Sequence, residues 1–162
     1  MTAQFHEGLI YEGKPCTMAF CPPLPVGHPR IAELTEEEMR ESELDFICSS
    51  TGCWRQYIGE WEIKDGRFYL VKISGRFQLK SEEPLFADWF SGVLRITKGE
   101  RLLYVHMGFG SVYEEELHVK IERGIVTKTR ELDNRGKEFD EDELGWQNLP
   151  GWENRFPADD EI

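Results

Sequence analysis

Residues 111–132 read SVYEEELHVKIERGIVTKTREL. In an extended chain Tyr113, Glu115, Leu117, Val119 and Ile121 share one mostly apolar face, while Val112, Glu114, Glu116, His118, Lys120 and Glu122 share a mostly charged one. That alternation predicts a half-buried strand, turning at Arg123-Gly124 into a second strand from Ile125 to Leu132. Two more pairs of runs precede it. Trp54 to Ile63 turns at Lys64-Asp65-Gly66 into Arg67 to Leu79, and Ser91 to Thr97 turns at Lys98-Gly99-Glu100 into Arg101 to Met107. Trp54 to Ile63 and Phe68 to Ile73 carry apolar residues at both parities, which predicts central strands covered on both sides.

Working outward, Leu9 to Phe20 reads as a first hairpin around Glu12-Gly13-Lys14-Pro15, stopped by the prolines of Cys21-Pro22-Pro23-Leu24-Pro25. Thr35-Glu36-Glu37-Glu38 has the spacing of a capping box and predicts a short surface helix from Glu36 to Ser42. Lys80 to Phe90, with three aromatics in its last five residues, predicts a buried crossover or single helical turn. Strands with this many edges close or stack. The expected fold is therefore mainly β: antiparallel hairpins forming one sandwich or barrel of about eight strands, with one short helix and a docked C-terminal tail. The domain spans residues 1–133. Residues 134–162 form an extension with nine acids against three bases, yet with Phe139, Trp146, Leu149, Trp152 and Phe156, so it is expected to pack rather than float.

A chain of 162 residues with ten Phe, five Trp and five Tyr can bury a real core. Its start lacks the pattern of a secretion signal and its apolar runs are short, so a cytoplasmic protein without a membrane span is expected, its thiols reduced. The net charge of −12 disfavours direct nucleic-acid binding and points to a basic protein, or the basic groove of one, as partner. Composition leaves the oligomeric state open.

Four cysteines fall as two Cys-x4-Cys pairs, Cys16/Cys21 and Cys48/Cys53. Four thiolates suit tetrahedral zinc, but the looser spacing favours plain buried thiols and no cofactor. Gly52-Cys53-Trp54 echoes the nucleophile run of papain-like proteases, with His106 or His118 as base, but the following residues alternate like a strand rather than a helix. No residue is assigned a catalytic role. Tyr104 to Glu116 is the most distinctive string: glycines around Phe109 allow close backbone approach, so a ligand or metal could sit near His106 with Glu114 or Glu116 opposite. The plainer reading is a structural bulge beside a solvated strand face.

The runs Ser49 to Ile63, Leu85 to Gly92 and Tyr104 to Gly108 resemble strings in uncharacterised bacterial proteins. The resemblance implies a bacterial source and a single small domain, and carries no activity, cofactor or site residue.

Two functions compete. The first is a protein-binding module of inhibitor, immunity or accessory-subunit type, with Glu114 and Glu116 on an acidic face and Trp146 and Trp152 as aromatic anchors. The second is a small-molecule-binding β-barrel, with or without enzymatic activity, lined by Tyr57, Trp61, Phe68, Phe77, Tyr104 and Phe109, with polar contacts from His106, Arg55 and Glu60.

Overall fold

The computed structural model describes residues 3–25, 27–41, 50–104 and 109–137. They form β1 (Glu7–Tyr11), β2 (Lys14–Met18), β3 (Ile31–Glu33), α1 (Glu36–Glu41), β4 (Tyr57–Lys64), β5 (Arg67–Gly75), β6 (Phe77–Leu79), β7 (Leu85–Phe86), β8 (Gly92–Leu103), β9 (Val112–Glu122) and β10 (Ile125–Asp133). Seven strands close a barrel in the order β10-β9-β8-β2-β1-β4-β5, with β5 returning to β10 at Arg67–Ile125. The expected choice between sandwich and barrel therefore falls to the barrel. β7 adds to β5 outside the ring, and β3 pairs β6 as a separate ribbon. The pairing of β1 with β4 is parallel, and the other pairings are antiparallel.

Three hairpin turns follow from local chemistry. Glu12-Gly13, Asp65-Gly66 and Arg123-Gly124 all have positive φ at both positions, the backbone whose twist matches paired strands. At α1 the capping box forms as its spacing predicts. The Thr35 hydroxyl accepts the Glu38 N–H at 3.2 Å, and the Glu38 carboxylate accepts the Thr35 N–H at 2.8 Å.

Two expectations need correction, both because of β-bulges. Lys98-Gly99-Glu100 does not turn the chain; β8 runs through it and stays paired with β9 from Gly92↔Ile121 to Leu103↔Val112. Gly99, at φ +79°, absorbs one extra residue as a bulge, and the Glu100 N–H donates to the Glu114 carboxylate at 3.0 Å instead of closing a hairpin. The two-parity pattern of β4 and β5 likewise does not mean cover on both faces. A register shift opposite Glu60/Trp61 switches the inward parity of β5, so Phe68 and Leu70 point inward before Val71, and Ile73 does so after it. Trp54 precedes β4 and is 51% exposed.

Large side chains fill the middle of the barrel. Trp61 stacks on Phe68 at 4.8 Å between ring centres, Phe90 tilts against Phe68 and Phe20, and Met18, Leu94, Ile96, Val119 and Ile121 complete the cluster. The 85–90 crossover is buried at Ala87 and Phe90, as its aromatics suggest, but it forms the short strand β7 rather than a helical turn. Among the described residues no helix is long and apolar enough to cross a membrane. The expected docking of the tail falls on residues beyond 137, outside the described residues.

Candidate ligand site at the polar end of the barrel

β1 sends Glu7, Leu9 and Tyr11 inward, which places a carboxylate inside the barrel at its first residue. Glu7 is 0% exposed, and a buried carboxylate needs partners. One oxygen accepts Arg55 Nη2 at 3.2 Å and the backbone N–H of Gly59; the other receives the Cys21 thiol at 3.6 Å. Arg55 comes from the turn before β4, where Gln56 holds a left-handed backbone at φ +61°. Its guanidinium lies 5.8 Å from the Tyr57 ring centre and also donates to the Phe5 carbonyl at 2.9 Å. The Tyr57 hydroxyl lies 3.5 Å from the Cys21 sulfur and donates to the Pro22 carbonyl at 3.4 Å, while the Cys53 thiol donates to the Tyr57 carbonyl at 3.2 Å.

Gly59 makes this assembly possible. A Cβ there would sit 2.6 Å from Trp61 Nε1 and 3.1 Å from Glu7 Oε1, so the indole edge and the carboxylate share the space that a side chain would occupy. Two donors in this neighbourhood, Trp61 Nε1–H and Arg55 Nε–H, are buried without an acceptor among the described residues. Trp61 is 1% exposed.

Electrostatics make the cluster rich in donors. Burial pushes the Cys21 thiol up to about 12, reinforced by the Glu7 charge, and burial also raises the Cys53 thiol and the Tyr57 phenol. Burial raises Glu7 as well, against the pull of Arg55 and the Gly59 N–H. At neutral pH four donor side chains, from Arg55, Trp61, Cys21 and Tyr57, therefore surround a single carboxylate. Exposed Phe5 and Trp54 flank Arg55 at the rim, tied through the Phe5 N–H to the Gly52 carbonyl at 2.8 Å and the Trp54 N–H to Gln4 at 2.9 Å.

A second polar group lies on the outer face of β8 and β9. Arg95 and Glu116, each 7% exposed, pair directly, and Arg95 also donates to the carbonyls of Phe109 and Ser111. His118 Nε2 meets the other Glu116 oxygen at 3.0 Å. Burial works against the Glu116 charge, but hydrogen bonds from His118 and Arg95 outweigh it and bring the carboxyl down to about 2. His6 packs against Phe109 and Tyr113, and burial together with Arg95 and Arg55 lowers it to about 4.

The predicted site residues scatter. Glu116 is not on an acidic surface: it is buried and neutralised by Arg95, because residues 109–111 cover that part of β9. Glu114 is half-buried, lying against Gly99 and 3.7 Å from Arg135. Arg55 does enter the interior cluster, whereas Glu60 is exposed on the outer side of β4. His106, Trp146, Trp152 and Cys48 lie outside the described residues. Cys16 donates to the Leu9 carbonyl at 3.3 Å, apart from the acceptors of Cys21 and Cys53. Among the described residues no three His, Cys, Asp or Glu side chains assemble as metal ligands. Sequence reasoning missed Glu7, Cys21 as a polar partner, and Gly59. The only signal was an acid at an inward parity of the first hairpin, which is legible once Leu9 is known to face the core.

The charge distribution also changes the picture. The described residues contain 20 acids and 18 bases, so they account for only −2 of the −12. The chain is thus a closed mixed β-barrel with a packed middle, a donor-rich polar end and a nearly neutral wall. No protein-family model, curated protein or solved structure matches it.

Proposed function

We propose that the protein is a binding protein for a small, neutral, carbonyl-bearing molecule, held at the polar end of its barrel. One observation carries the reading: Trp61 Nε1–H and Arg55 Nε–H are both buried, both lie beside Glu7, and both lack an acceptor among the described residues. Leaving a buried donor unmet costs about 1–3 kcal/mol, so a fold rarely keeps two together without use. A carbonyl oxygen supplies the missing acceptor. An anion suits the site less well, because Glu7 already balances the Arg55 charge and would repel it. Packing in the middle of the barrel limits the ligand to a small molecule, and Phe5 and Trp54 give it an aromatic rim.

The test is a titration of isotope-labelled protein with small amides, ketones and carboxylates, following the Trp61 indole N–H and Arg55 Nε–H signals assigned through Trp61→Phe and Arg55→Lys. Amides and ketones are expected to shift both signals together, and Arg55→Lys to abolish the response. A panel that leaves both signals unmoved defeats the proposal.

A further inference from the structure

The two oxygens of Glu7 are unequally served. Oε2 accepts both Arg55 Nη2 at 3.2 Å and the Gly59 N–H, whereas among the described residues Oε1 receives only the Cys21 thiol, at 3.6 Å. A thiol is a weak donor and a carboxylate oxygen carries two lone pairs, so Oε1 keeps room for a strong N–H. That oxygen lies 3.1 Å, and Trp61 Nε1 2.6 Å, from the point where a Gly59 Cβ would stand. An under-used acceptor and a donor unmet among the described residues thus face one gap over Gly59 without bonding each other. Arg55 Nε, the second such donor, belongs to the side chain whose Nη2 bonds Oε2. That side chain is 11% exposed and reaches the rim at Phe5, whose carbonyl it also meets.

Donors on one side of the gap and an acceptor on the other select a ligand that carries the opposite pair on a single edge. A ketone offers only an oxygen and leaves Oε1 as it is. A carboxylate offers two acceptors and brings a second negative charge towards Glu7. An open-chain secondary amide holds its N–H and C=O on opposite edges, because the trans form is strongly preferred. A primary carboxamide and a lactam present both groups on the same edge.

We infer that the ligand is a primary carboxamide or a lactam, its oxygen accepting from Trp61 Nε1–H and Arg55 Nε–H and its syn N–H donating to Glu7 Oε1. The inference rests on the carbonyl-binding reading above and narrows it to one ligand class. Glu7 then has two tasks: Oε2 balances Arg55, and Oε1 reads the N–H of the ligand. Discrimination comes from Oε1, since a ketone of the same size forgoes one hydrogen bond to a charged group.

The test titrates the full wild-type chain with two size-matched pairs, acetamide against acetone and pyrrolidinone against cyclopentanone, following the Trp61 indole N–H and Arg55 Nε–H signals. N-methylacetamide, smaller than pyrrolidinone but with its N–H anti to oxygen, is the geometric control. The amide of each pair is expected to bind about tenfold more tightly than its ketone, and N-methylacetamide no better than acetone. In isotope-labelled acetamide only the N–H syn to oxygen should move downfield on binding. Shifts of both protein signals with equal affinities within each pair would overturn the inference and leave the carbonyl-binding reading standing. N-methylacetamide binding as tightly as acetamide, or a downfield move of the anti N–H alone, would do the same. Signals unmoved by every compound would remove both the inference and the reading beneath it.

Discussion

Replacing Glu116 with Gln should destabilise the fold far more than the same change at Glu114, although the two residues look equivalent on one strand. In the folded chain Arg95 is 7% exposed and takes its countercharge from Glu116, so the amide leaves a buried guanidinium without an anion. Breaking a buried pair in this way costs about 3–5 kcal/mol. The lowering of Glu116 to about 2, from an ordinary 4.5, gives an independent figure: about 3 kcal/mol of linkage, in the same range. Its sign is that of a depressed carboxylate. The stability is present above the unfolded value near 4.5 and is lost as pH falls towards 2. With a urea dependence of ~2 kcal/mol per molar, Glu116→Gln should lower the unfolding midpoint by about 1.5–2.5 M. Glu114→Gln should change stability by only about 0–1 kcal/mol. Urea unfolding followed by tryptophan fluorescence measures both, and Arg95→Met in the Glu116→Gln background should recover part of the loss by removing the stranded charge. Equal midpoints for the two Gln variants, or a double variant weaker than the sum of the singles, would refute the burial argument.

Three further outcomes follow from the same geometry. Gly59→Ala should cost about 1–3 kcal/mol, because its Cβ would press on Trp61 Nε1 and the Glu7 carboxylate; a thermal melt unchanged from wild type contradicts that packing. Cys21, held near 12, should react with iodoacetamide at pH 8 much more slowly than a free thiol, and labelling at the free-thiol rate, read by peptide mass mapping, would contradict the burial that raises it. His6 sits at about 4 when folded, so between pH 6.5 and 4 the unfolded chain takes the proton first, and up to about 3 kcal/mol of stability drains away as pH falls. Glu7 acts in the opposite sense, so the comparison is with His6→Gln, whose stability should be flatter over that window; parallel profiles would discount His6.

Much of the fold is legible in short runs of residues, because turns, caps and alternation are local. Glu12-Gly13, Asp65-Gly66 and Arg123-Gly124 announce their hairpins, and Thr35 with Glu38 announces the helix, since each motif satisfies its own backbone within a few residues. The reading fails where one residue of slack can be spent in two ways. Lys98-Gly99-Glu100 has the composition of a turn, and only its partner strand makes it a bulge. Val71 switches the parity of β5 by the same device and imitates a strand covered on both faces.

The candidate sites were less visible, because they depend on residues far apart in the chain. Glu7 and Gly59 are 52 positions apart, and Arg95 and Glu116 are 21 apart. Alternation marks Glu116 as facing away from the core, which is true, but cannot say that Phe109 and Ser111 cover that face. Sequence by itself determined the β character, the hairpin turns, the short helix and the aromatic content of the core, all consequences of backbone preference and apolar pattern. Tertiary structure decided the closure into a seven-strand barrel, the parallel meeting of β1 with β4, the carboxylate buried at the barrel's end and the meeting of β5 with β10 at Arg67–Ile125. Those features arise from which distant strands become neighbours, and neighbourhood is what sets the cost or gain of every buried charge.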